Sequence, residues 1–319
     1  MGEVKRVLIT GAGGFIGLAC VAAALARGIE VVAVVRGSAP PPAQRLTLLR
    51  CDLSDPASVP DLSDALRGCD AAIHAAAHVG DDAEAARRDT LAATRHLLEA
   101  MPEAMPLVLV SSITVYDTDR AAPGSVIDES APLFAEGAAP SGYANAKLAQ
   151  EALARARGGP LWLMRLGAVW GAGRTWHALN GVDAGPLHLT LASEGELPLT
   201  NVTQVAQALV AAARSDPEGI RALNVIDDDR PTRSRCVRAH RAATGWPRLA
   251  LPVPWRIWLT LTRAVSPLAP RLPGLLREPV LRARIMPLRW PNTALRAALG
   301  GQDAAGYEQM LKLSTRGAE

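Results

Sequence analysis

Residues 7–17, Val-Leu-Ile-Thr-Gly-Ala-Gly-Gly-Phe-Ile-Gly, restrict the fold more than any other stretch of this chain. An apolar strand over Val7–Thr10 runs straight into glycines at 11, 14 and 17. A helix rich in Ala and Leu is expected from Phe15 to Arg27, with Gly28 ending it. Strand, glycine turn and helix in immediate succession open a βαβ unit. Gly11 permits a tight turn after the strand, Gly14 lets backbone approach a pyrophosphate, and Gly17 lets the helix lie close to the sheet. Phe15 and Ile16 stand in the first turn of that helix, where free N–H groups and partial positive charge favour a phosphate.

The same rhythm continues downstream. Glu30–Val35, Leu46–Leu49, Ala71–His74, Leu107–Val110 and Leu161–Leu166 read as further strands. The valine run of the second suits a strand buried on both faces. One helix runs to about Met101 and another carries Tyr143 and Lys147. Alternation of this kind predicts an α/β protein with a doubly wound parallel sheet of the Rossmann type. A helix over Val202–Ala213 and a strand over Ala222–Ile226 are expected to return to it. The organisation expected is therefore a dinucleotide-binding domain over 1–170, joined by 202–230, and a smaller C-terminal substrate lobe over 171–201 and 231–319.

Bulk composition excludes more than it assigns. With 49% hydrophobic and 20% charged residues, the 319-residue chain suits a globular core. A net charge of +3 names no partner, and no nucleic-acid reader motif is present. Cys20, Cys51, Cys69 and Cys236 lack CxxC spacing, so reduced thiols are expected. No secretory leader is evident at Met1–Arg6, and no apolar run reaches the roughly 20 residues that span a bilayer. A cytoplasmic location is expected.

The end of the second strand bears on cofactor choice. An acid there would hold ribose hydroxyls, but the position is Arg36. An arginine can pair with a 2′-phosphate, with Ser38 assisting, so NADP is expected, with NAD the alternative. Asp52 and Leu53, after the third strand, are placed to meet the adenine amino group; Asp52 as a helix cap is the competing reading.

Tyr143 and Lys147 are four residues apart and share a helix face. A lysine ammonium beside a phenol favours the phenolate, so Tyr143 can exchange a proton with a substrate oxygen while Lys147 also holds the nicotinamide ribose. Ser112, at the end of the fifth strand, is placed to hydrogen-bond that same oxygen. His74 and His78, also four apart, lack a carboxylate or thiol companion, so no metal is expected. Asp227-Asp228-Asp229 reads as a solvated acidic turn.

These stretches, with Cys51-Asp-Leu53, His74-Ala-Ala-Ala77, Ser111-Ser-Ile-Thr-Val-Tyr116, Tyr143-x-x-x-Lys147-x-x-x-Glu151 and Arg165-Leu-Gly-Ala-Val-Trp-Gly171, resemble the extended short-chain dehydrogenase/reductase family of epimerase/dehydratase type. The likeness covers roughly residues 5–230. It implies Ser112, not Ser111, as the catalytic hydroxyl, and Ala75 and Ala76 lining the cofactor. Sugar dehydratases of the family carry an Asp-Glu pair, and decarboxylases a Glu, after that hydroxyl; Ile113-Thr114 stands here and disfavours both reactions. Thr90 replaces a usual Asn, and Asn201-Val-Thr-Gln204 replaces a usual Val-Asp-Asp. The expected activity is hydride transfer between a nicotinamide and a secondary alcohol or ketone carbon. Nucleotide-sugar epimerisation with tightly held NAD is the alternative, and a non-catalytic NADP-binding protein the third reading. A small-molecule substrate, a nucleotide sugar or another anionic or apolar ketone, and a homodimer are the partners implied.

The C-terminal lobe interleaves Arg248, Arg256, Arg263, Arg271, Arg277, Arg282, Arg284, Arg289 and Arg296 with Trp246, Trp255, Trp258 and Trp290, against the single acid Glu278. Such a segment suits an anionic, partly apolar ligand or an anionic lipid surface; the bland alternative is a lid with solvated arginines.

Overall fold

The computed structural model describes residues 4–265, 278, 281–282 and 286–316. Seven strands form one sheet: β1 (Arg6–Thr10), β2 (Glu30–Val35), β3 (Leu46–Arg50), β4 (Ala71–His74), β5 (Leu107–Ser112), β6 (Leu161–Leu166) and, much later, β11 (Ile220–Val225). All pair parallel, in the order β11-β6-β5-β4-β1-β2-β3. This is the doubly wound α/β sheet expected. The order reverses beside β1, which has β2 on one side and β4 on the other. Loops leaving β1 and β4 therefore diverge, opening a crevice at their carboxyl ends.

Strand alternation feeds two cores. Val7 and Ile9 of β1 and Val31, Ala33 and Val35 of β2 face α1 (Phe15–Leu25) and α6 (Val202–Ala213), meeting Cys20, Val21, Val205 and Leu209. Leu8, Val32 and Val34 face the other way, onto Leu62 and Leu66 of α2 (Val59–Leu66), Leu97 of α4 (Ala93–Ala100) and Ala154 of α5 (Gly142–Arg157). The two edge strands break the pattern, with Leu48 of β3 40% and Ile220 of β11 42% exposed. Helix α1 stops at Leu25, short of Arg27, and Gly28 turns the chain at φ 73°.

Between α3 (Ala83–Ala86) and α4 the helix widens into a π turn over Arg87–Ala92. Such a turn re-aims the side chains it carries. Here Asp89 meets Arg36, and Thr90 accepts from the His78 amide at 2.9 Å. Thr90 thus makes a structural contact of its own where the family's asparagine usually stands.

Beyond β6 the sequence reading missed two small sheets. β7 (Ala168–Trp170) pairs parallel with β10 (Leu199–Asn201), and β9 (Leu187–Ala192) lies between β8 (Gly181–Ala184) and β12 (Leu249–Pro254). These strands are three to six residues long and bounded by Gly and Pro, so their periodicity is weak. Helices α7 (Arg233–Thr244), α8 (Trp255–Ala264), α9 (Thr293–Leu299) and α10 (Tyr307–Arg316) complete the described chain. Among the described residues no helix is long and apolar enough to cross a membrane.

The acidic turn after β11 corrects one expectation. Asp227 is buried, accepting from the Asn201 amide and from Trp170 Nε1 at 3.0 Å. Asp228 receives Arg296 and Asn292, and Asp229 receives Arg235 and the Tyr307 amide. The triplet is a clasp for the C-terminal helices rather than a solvated loop. Burial, with Asp303 nearby, pushes the Asp227 carboxyl up to about 7. A carboxyl that holds its proton more tightly when folded favours the fold at low pH, and that contribution fades as pH rises from about 4 to about 7. Asp227→Asn is expected to flatten that part of the stability curve. Denaturant midpoints for both proteins between pH 5 and 8 check it; parallel curves would refute it.

The arginine-rich segment is corrected in part as well. Arg296 spans Asp228 and Asp303, Arg263 holds Glu278, and Arg282 donates to the Ala121 carbonyl. Trp290 is buried 6.3 Å from the Tyr116 ring, and Trp255 and Trp258 pack against Leu191, Leu259 and Leu281. Acids distant in sequence take arginines that seemed unopposed. Arg271, Arg277 and Arg284 lie outside the described residues.

Candidate active site

At the carboxyl end of β1 the glycine turn has the geometry a phosphate cradle needs. Gly11 adopts φ 64°, and a Cβ there would lie 2.8 Å from the Ala76 nitrogen. A Cβ on Gly17 would approach the Gly11 carbonyl oxygen to 2.1 Å, so this glycine sets how closely α1 meets the turn. By contrast, a Cβ on Gly14 would meet only the Gly11 oxygen, at 3.2 Å. The turn is therefore open on the side where a pyrophosphate would lie. Gly14 is the N-cap and supplies no side chain, leaving the first-turn amides around Phe15 and Ile16 for an external anion. A dinucleotide fits this donor set. Ala75 and Ala76 close the far wall of the turn, and the Ala76 amide donates to Thr10 Oγ1 at 3.3 Å.

Charged groups cluster at the carboxyl end of β2. Arg36, exposed at the end of β2, donates to Asp89 at 3.0 Å and lies 3.8 Å from Asp52. Arg88 grips the same Asp89 carboxylate, whose pKa falls to about 2 under the two guanidiniums. Asp52 does not cap a helix; its Oδ1 accepts from the Ser54 amide and hydroxyl at 2.9 and 2.8 Å. Buried Leu53 offers its carbonyl to His96 at 2.8 Å. A Cβ on Gly13 would come to 1.9 Å from the Ser38 carbonyl oxygen, so glycine is what lets that loop pass so close to the turn.

On the other side of β1, β5 and α5 bring the hydroxyl, phenol and ammonium together. Ser141 fixes the start of α5 by accepting from the Ala144 amide at 3.1 Å. In the first turn of the helix the Tyr143 phenol faces Ser112, which acts to lower its pKa, and the Ser112 oxygen accepts from Thr114 Oγ1 at 3.0 Å. Lys147 Nζ lies 5.9 Å from the Tyr143 ring centre. It donates to the Val110 carbonyl at 2.8 Å and to Gln150 Oε1 at 2.9 Å. Burial lowers the ammonium to about 8 and raises the phenol above its ordinary value, with Ser112 opposing the rise. The direction for Tyr143 is opposite to the sequence expectation, because burial of the phenol is the largest influence on it.

Ser111, the neighbouring hydroxyl, is occupied elsewhere. It donates to Glu151 at 2.5 Å, and Arg165 holds that carboxylate through two bonds of 3.0 and 2.8 Å. Arg165 also donates to Tyr116, whose hydroxyl donates to Asn224 at 2.7 Å. Tyr116 is therefore structural. His74 is buried and both ring nitrogens are taken, by Thr10 at 2.7 Å and Thr94 at 2.9 Å. Among the described residues no group of three or more His, Cys, Asp or Glu could hold a metal ion.

Gln150, Thr94 and Arg174 were not singled out from sequence. Gln150 has a local signal, standing one turn after Lys147 on the same face. Arg174, whose guanidinium lies 4.8 Å over the Phe15 ring, had none, because a turn far along the chain places it there.

A family model described as the NAD dependent epimerase/dehydratase family matches residues 7–223. Cinnamoyl-CoA reductase 1 of Petunia hybrida is 35% identical over 136 residues, covering 39% of this chain and 40% of that protein. The 3-diazoavenalumate denitrifying reductase of a Streptomyces species is 33% identical over 285 residues, 84% of this chain and 87% of that one. Among solved structures, MoeE5 in complex with UDP-glucuronic acid and NAD superposes with a TM-score of 0.70 at 23% identity, covering 98% and 97% of the two chains. That likeness speaks for the fold.

Proposed function

The chain belongs to the NAD-dependent epimerase/dehydratase family, and from that premise we propose that it is a reductase acting with NADPH on the carbonyl of a small-molecule ketone or activated acyl group. The observation that carries this reading is the convergence of Ser112, Tyr143 and Lys147 at the ends of β5 and α5, with Lys147 Nζ 5.9 Å from the phenol ring and anchored by two carbonyl oxygens. When bound, the nicotinamide supplies hydride. Ser112 orients the substrate carbonyl by hydrogen-bonding its oxygen. Tyr143, kept protonated by burial, delivers a proton to that oxygen as negative charge develops on it. Lys147 keeps a donor for the ribose and contributes positive charge on the phenol's side of the site. A raised phenol pKa suits a group that must enter the reaction as an acid, which is the reductive direction. The relatives named as reductases support the same direction.

Arg36 supports NADP, because a 2′-phosphate can replace Asp89 as its partner. Arg36→Ala is expected to weaken NADPH binding by about 10-fold or more, one charge-assisted contact, and to leave NADH binding nearly unchanged. Calorimetry with both cofactors checks it. Equal losses would refute the 2′-phosphate role. Stoichiometric NAD retained through purification would overturn net reduction and favour epimerisation.

A further inference from the structure

A buried polar chain runs behind the site, from the carboxyl ends of β1 and β4 through α4 to α5. Its members are Thr10, His74, Thr94, Gln150 and Lys147, linked by hydrogen bonds of 2.7 to 2.9 Å. The direction of every bond can be deduced. Thr94 has one hydroxyl proton, and the Thr90 carbonyl at 2.6 Å takes it, since a carbonyl only accepts. Thr94 Oγ1 must then accept from both Gln150 Nε2 and His74 Nε2, each at 2.9 Å. This places the imidazole proton on Nε2 and makes Nδ1 the acceptor of the Thr10 hydroxyl. It also fixes the Gln150 amide with nitrogen toward Thr94 and oxygen toward Lys147. A flipped amide would set its NH2 against the ammonium, donor against donor.

We propose that Gln150 is a positioning residue for the reaction, held by Thr94 and His74 in the one orientation that presents its oxygen to Lys147 and keeps that lysine charged and directed at the cofactor ribose. The inference rests on the reading of Lys147 given above. Two of the three ammonium donors are committed, to Gln150 and to the Val110 carbonyl, and one is left for the ribose. The titratable groups around the ammonium are His74 from β4 and Tyr143 and Glu151 from its own helix. Burial and the lysine charge hold His74 down to about 3, so it stays neutral and its Nε2 proton remains in place. Glu151 favours the charged lysine but is itself locked to Arg165. Among the described residues Gln150 is the only side chain hydrogen-bonded to Nζ.

The chain has three lysines, Lys5, Lys147 and Lys312, so lysine side-chain NMR resolves the question without a substrate. Protein labelled with 13C and 15N in lysine is titrated, with Lys147 assigned by the signal lost in Lys147→Met. The wild-type midpoint is expected near 8. Gln150→Leu, which keeps bulk and removes the acceptor, is expected to move that midpoint about one pH unit lower. Gln150→Glu is expected to move it higher. Thr94→Val leaves Gln150 in place without its orienting atom, and a smaller downward shift is expected; it serves equally if Gln150→Leu does not fold. Midpoints unchanged in folded Gln150→Leu or Thr94→Val would overturn the proposal, whereas a purely packing role would lower stability and leave the midpoint alone. Shifted midpoints together with full activity of Tyr143→Phe would uphold the strut and refute the catalytic reading instead.

Discussion

Replacing Tyr143 with phenylalanine is expected to lower turnover of a ketone substrate by about 100- to 10,000-fold, the usual contribution of a positioned general acid. The substitution removes one oxygen and keeps the ring, so α5, the Lys147 anchor and the glycine turn are left in place. NADPH binding is expected to be nearly unchanged, which separates a lost acid from a damaged site. Ser112→Ala should follow more mildly, because it removes an orienting bond while the proton donor remains. The pH profile adds a sign. Burial raises the phenol, so Tyr143 remains an acid through neutrality, and the first group to titrate on the alkaline side is Lys147, near 8. Reduction should therefore weaken as pH climbs through about 8. Steady-state kinetics of both variants over pH 6–10, with binding measured in parallel, check this. Full turnover by Tyr143→Phe would end the general-acid assignment.

Much of this site was legible in the sequence because its parts are locally encoded. The glycine spacing reports a turn whose close contacts are backbone to backbone, so only glycine fits at Gly11 and Gly17. Tyr143 and Lys147 report themselves through helical periodicity, and Ser112 through its place at a strand end. What escaped is what needs distant segments to meet. Asp227–Asp229 looks solvated until Arg235, Arg296 and Tyr307 arrive from further along the chain. Arg36 looks free until a π turn aims Asp89 at it, and no periodicity announces a π turn. The small sheets of β7 to β10 and β12 form from strands too short to show alternation. Electrostatic direction was the hardest quantity. The phenol's pKa depends chiefly on burial, which cannot be read from spacing.

Arg165→Met is expected to destabilise the fold by about 3–5 kcal/mol, the cost of leaving one member of a buried ion pair alone. Arg165 and Glu151 are both buried and joined by two charge-assisted bonds, and the guanidinium also meets the Tyr116 hydroxyl. Methionine fills similar volume but leaves the Glu151 carboxylate with Ser111 as its main remaining partner. Against a total stability of about 5–15 kcal/mol, that loss is a large fraction. The charge pair itself need not be strongly stabilising, since burying two ions is costly. Removing both charges, as in Arg165→Met with Glu151→Leu, is therefore expected to recover most of what the single change loses. The pair also bears on the active site, because it secures Ser111 at the end of β5 and so the direction in which Ser112 leaves the sheet. Urea denaturation of the two single variants and the double variant measures the coupling. If Arg165→Met costs no more than an ordinary surface change, within about 0.5 kcal/mol, the pair is not what fixes the strand end.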